Sequence, residues 1–63
     1  MNIKFDDKCE YSNDYMELAA GEEVIYFSHF HHNQTTSNIA LNKLQIKQLV
    51  DVLNRWFYTE ELA

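Results

Sequence analysis

The run Val24-Ile25-Tyr26-Phe27-Ser28-His29-Phe30-His31 constrains this chain more than any other segment. Rich in β-branched and aromatic residues, it reads as a central strand. Side chains alternate along a strand, so Val24, Tyr26, Ser28 and Phe30 point one way and Ile25, Phe27, His29 and His31 the other. Both rows are largely apolar, yet the sequence has room for one long helix, and one helix covers one face. At 63 residues a chain hides only roughly 60% of the surface it exposes when unfolded, so association is the common remedy. A second copy of the same chain is the natural cover for the remaining face.

The helix is the clearest element. Asn42 precedes a proline-free run from Lys43 to Tyr58, and Gln45 stands three residues after it in the capping-box pattern. At about 100° per residue Ile46, Leu49, Val50, Leu53 and Phe57 share one face, and Val52 and Trp56 widen the stripe by about another 60°. Lys47, Asp51, Asn54 and Tyr58 lie opposite. The stripe exceeds the ~100° a helix usually offers its own sheet, so the flank carrying Val52 and Trp56 is free to meet something else.

Between strand and helix, His32-Asn33-Gln34-Thr35-Thr36-Ser37 has turn-like composition, and Asn38-Ile39-Ala40-Leu41 returns as a short antiparallel strand. Residues 14–20 fit a short helix or a strand. The strand is preferred because the central strand needs a second partner, with Ala20-Gly21-Glu22-Glu23 as the hairpin connection. Ile3 and Phe5 alternate like an edge strand or an N-terminal arm. The expected fold is a single α+β domain spanning 1–63, a three-stranded antiparallel sheet under one C-terminal helix. As a symmetric homodimer it would bury Val52, Trp56, Tyr26 and Phe30.

Charge is confined to one end. Residues 1–23 hold Asp6, Asp7, Glu10, Asp14, Glu17, Glu22 and Glu23 against Lys4 and Lys8, which accounts for the whole net charge of −5. Without clustered Lys and Arg, direct nucleic-acid binding is disfavoured. A protein with a basic surface is the better match, and Asp6, Asp7, Glu10 and Asp14 are the residues expected to face it. The same acids also serve solubility. No apolar run approaches the ~20 residues of a membrane-spanning helix, and the N-terminus lacks signal-peptide character, so no membrane association and a cytoplasmic location are expected.

Catalytic signatures are missing: the sequence has no glycine-rich phosphate loop, nucleophile elbow or helical His-Glu pair, and Cys9 sits among acids that disfavour its thiolate. Neither enzyme activity nor a cofactor is expected. His29, His31 and His32 are the most pointed polar cluster. On a strand the first two share a face about 7 Å apart, so metal binding stands as an alternative, although no second His or Cys group supplies further ligands. Strand-end surface histidines, or an interface sensitive to pH, are the other readings.

The order Glu22-Glu23-Val24-Ile25-Tyr26-Phe27, a polar turn, Ile39-Ala40-Leu41-Asn42 and then Leu49-Val50-Asp51-Val52-Leu53-Asn54-Arg55-Trp56 resembles small phage-encoded proteins built from a hairpin followed by one helix. The resemblance spans residues 15–58. Such proteins include inhibitors of bacterial anti-phage systems, among them small dimeric anti-Hachiman proteins and anti-CRISPR proteins. It implies a non-catalytic protein that binds and inhibits a host defence component, and it carries no functional residues across. An antitoxin-like or structural accessory protein is the alternative.

Overall fold

A computed structural model describes residues 2–9 and 11–61. Four antiparallel strands, β1 (Asn2–Asp6), β2 (Asp14–Ala20), β3 (Val24–His31) and β4 (Gln34–Asn42), form a meander in the order β1-β2-β3-β4, followed by α1 (Lys43–Thr59). The α+β class and the C-terminal helix agree with the sequence reading, but the sheet has four strands where three were expected. The fourth is β1: Ile3 and Phe5 pair with Leu18 and Met16, so the alternation at the N-terminus is an edge strand. Residues 14–20 form a strand, as preferred.

β4 begins earlier than expected. The β3–β4 turn is only His32 and Asn33, both at positive φ (50° and 64°), the conformation of a two-residue type I′ hairpin. Gln34 to Ser37 therefore belong to the strand, where the two threonines suit the pleated backbone. His29 pairs with Ser37 and Phe30 with Thr35, which leaves Thr36 as the extra residue of a β-bulge.

In the β2–β3 connection the left-handed residue is Glu23, φ 65°, rather than Gly21. Gly21 is needed for room: a Cβ there would stand 2.6 Å from Cε2 of Tyr26. At the helix start the capping box is complete. Asn42 Oδ1 accepts from the Gln45 N–H at 2.9 Å, and Gln45 Oε1 accepts from the Asn42 N–H at 3.0 Å.

The register sorts the sheet into two unlike faces. One carries Ile3, Phe5, Met16, Leu18, Phe27 and Ile39; the other carries Asn2, Lys4, Glu17, Ser28 and Asn38 with Tyr15, Tyr26 and Phe30. The helix covers little of either. α1 packs mainly against β4, where Ile46 borders a small cavity with Ile25 and Leu41, and no described residue reaches core burial. The consequence is an open protomer. Its radius of gyration is 13.3 Å, against about 11 Å for a compact chain of this length.

Candidate functional site

The polar residues converge at one end of the sheet, where the turn of β3–β4 meets the start of β2. Asp14 lies directly opposite His31, and His29 lies opposite Met16 on the same face. One carboxylate thereby serves two imidazoles: Asp14 Oδ2 accepts from His29 Nε2 at 2.9 Å, and Oδ1 accepts from His31 Nδ1. These two N–H donors, His31 first and His29 second, hold the Asp14 carboxyl below its ordinary pKa. The bulge residue Thr36 completes the set, with its hydroxyl donating to the His29 carbonyl at 3.2 Å and its oxygen meeting His29 Nδ1. Asp14, His29 and Thr36 link β2, β3 and β4 through side chains.

The histidine cluster weighed as an alternative metal site takes a different form. His29 and His31 do share a face and converge, but the Asp14 carboxylate stands between them, and among the described residues no group of three His, Cys, Asp or Glu is disposed to hold a metal ion. His32 lies in the turn with its ring edge-on to His31, centroids 4.1 Å apart.

Of the acids expected to face a partner, Asp6, Asp7 and Asp14 come together, bordering with His29 a depression of about 270 Å³. The Asp7 N–H donates to the Asp14 carbonyl at 3.1 Å, which holds the two acid-bearing segments side by side. Lys4 is partly committed already, with Nζ 3.5 Å from Asp6 and 4.3 Å above the Tyr15 ring. Glu10 lies outside the described residues. Sequence reading assigned Asp14 to the acidic set and His29 and His31 to a separate one; the strand register merges them.

The four residues expected at a dimer surface are divided. Tyr26 and Phe30 occupy the mixed face, where Phe30 stacks on Tyr15 with ring centroids 4.8 Å apart. On α1, Val52 is half-buried and Trp56 is 51% exposed. The apolar sheet face opposite Tyr26 is left more open than that reading anticipated, with Phe5 52% and Ile39 59% exposed.

No helix among the described residues is long and apolar enough to cross a membrane. Comparison of the chain with protein-family models, with curated proteins and with solved structures finds no match.

Proposed function

We propose that this protein is a homodimeric, non-catalytic binding module that inhibits or modulates a host protein, with a phage anti-defence inhibitor as its most specific form. The observation that carries the reading is surface. The chain exposes 5540 Å², whereas a compact protein of 7.5 kDa exposes about 4,200 Å². The excess of about 1,300 Å² per chain, about 2,600 Å² for a pair, falls in the range of obligate homodimer interfaces. Surface of that extent, carrying Phe5, Ile39, Trp56 and Phe57 in exposed positions, calls for protein against it.

The acidic end then remains free for a second, different partner. Asp6, Asp7 and Asp14 form a carboxylate group at the tip of the sheet, suited to a basic surface such as the nucleic-acid groove of a host enzyme, where carboxylates take the place of phosphates and speed encounter. The test is capture of a partner from host lysate, followed by association kinetics with the identified protein. The variant Asp6→Asn/Asp7→Asn/Glu10→Gln leaves the Asp14 network intact. Slower association of this variant at low salt, with dimer stability unchanged, supports the reading. An unchanged association rate reduces these acids to a solubility device.

A further inference from the structure

We propose that in the homodimer each α1 lies across the apolar sheet face of the partner, so that the two protomers exchange helices. This rests on the dimer reading above and adds which surfaces meet. The occupant is a second copy because the two uncovered surfaces of one chain complement each other. The sheet offers Ile3, Phe5, Met16, Leu18, Phe27 and Ile39, a patch without a charged side chain. The helix offers Val50, Leu53, Trp56 and Phe57, half or more exposed in all but Val50, at 47%. Polar positions of α1, Lys47, Asp51 and Asn54, fall on the other side of the helix.

Dimensions agree. With 17 residues α1 is about 25 Å long, and four strands at about 4.8 Å spacing span about 14 Å, so one helix crosses a whole sheet. The half-buried residues of α1 are Ile46, Leu49 and Val52, the first of them beside Ile25 and Leu41, whereas Val50, Leu53, Trp56 and Phe57 are about half exposed or more. Other symmetric pairings leave more apolar area wet. Helix-to-helix pairing leaves Phe5 and Ile39 in water, and edge pairing through β1 or β4 covers neither the helix stripe nor the sheet face. The Asp14, His29 and His31 cluster closes one end of the patch and limits how far a helix slides along it.

The experiment places a photo-cross-linker in the helix stripe, Phe57→p-benzoylphenylalanine, in a chain whose Phe57 is 71% exposed within one protomer. Isotopically heavy and light chains are refolded together, irradiated and mapped by mass spectrometry, with sedimentation equilibrium run in parallel. Helix exchange gives heavy-to-light cross-links from position 57 to peptides of β1 or β2, and the control Tyr58→p-benzoylphenylalanine, on the polar side, gives few. Leu53→Ala raises the dimer dissociation constant at least about tenfold. A dimer whose cross-links stay within one chain, or join α1 to α1, overturns helix exchange and leaves the dimer standing. A monomer at high concentration overturns both.

Discussion

Replacing Trp56 with alanine tests the open protomer quantitatively. A tryptophan side chain buries up to about 250 Å². With Trp56 51% exposed, about 125 Å² of it is left for a partner to cover, of which alanine forfeits about 100 Å². At ~25 cal/mol per Å² this is about 2.5 kcal/mol per chain and about 5 kcal/mol per dimer, an upper figure that corresponds to a loss of at most about three to four orders of magnitude in dimer affinity. The assay is urea unfolding at several protein concentrations. It is followed by far-ultraviolet circular dichroism, since the variant lacks the chain's one tryptophan. For a dimer that unfolds to separate chains, each tenfold rise in concentration adds about 1.4 kcal/mol to apparent stability. Trp56→Ala retains that dependence only at much higher concentration. An unfolding midpoint independent of concentration in the unsubstituted protein, or a dissociation constant less than about threefold changed by the substitution, refutes the reasoning.

Asn42→Ala removes one half of the capping box and is expected to cost about 1 kcal/mol, read as a lower urea midpoint with partial loss of helix signal. Glu23→Gly relieves a left-handed residue and is expected to stabilise by about 0.5–1 kcal/mol, net of an exposed Lys43–Glu23 contact that contributes little. The Asp14 carboxyl is held below its ordinary value of 3.8, so its contribution is full above that pH and is lost as pH falls through the lower folded value. Urea midpoints taken from pH 6 to 2 are expected to drop in the acid window for the unsubstituted protein and to be flatter there for Asp14→Asn; parallel curves refute the assignment.

The elements that were legible in the sequence are those governed by neighbours. Asn42 and Gln45 make a capping box from three residues' separation alone, and the alternation of Val24 to His31 needs no tertiary information. β1 was half legible, because Ile3 and Phe5 alternate in so short a run that an arm and an edge strand read alike. The early start of β4 was hidden by composition: Asn33 through Ser37 are turn-favouring as a group, and the turn closes in two residues because His32 and Asn33 both adopt positive φ.

The site required one more step than composition provides. Between β2 and β3 paired residue numbers total 45, a constant set by where Ala20 and Ile25 meet across the connection. Once that pairing is known, Asp14 falls opposite His31 and beside His29, and two separate clusters become one. The bulge adds Thr36, whose contact with His29 depends on a strand carrying one residue too many and on nothing local to Thr36. The placement of the helix was least legible, for a physical reason. Periodicity in α1 specifies which side of the helix avoids water, but an apolar stripe is satisfied equally by its own sheet or by the same sheet in a second copy. The choice turns on the chain's path after Asn42. Here Ile46 of α1 meets the Ile25 and Leu41 end of its own apolar face, while Val50, Leu53, Trp56 and Phe57 stay about half exposed or more. On the proposed helix exchange, the stripe of Val50, Leu53, Trp56 and Phe57 is half of an interface whose other half, Phe5 to Ile39, lies on the same polypeptide.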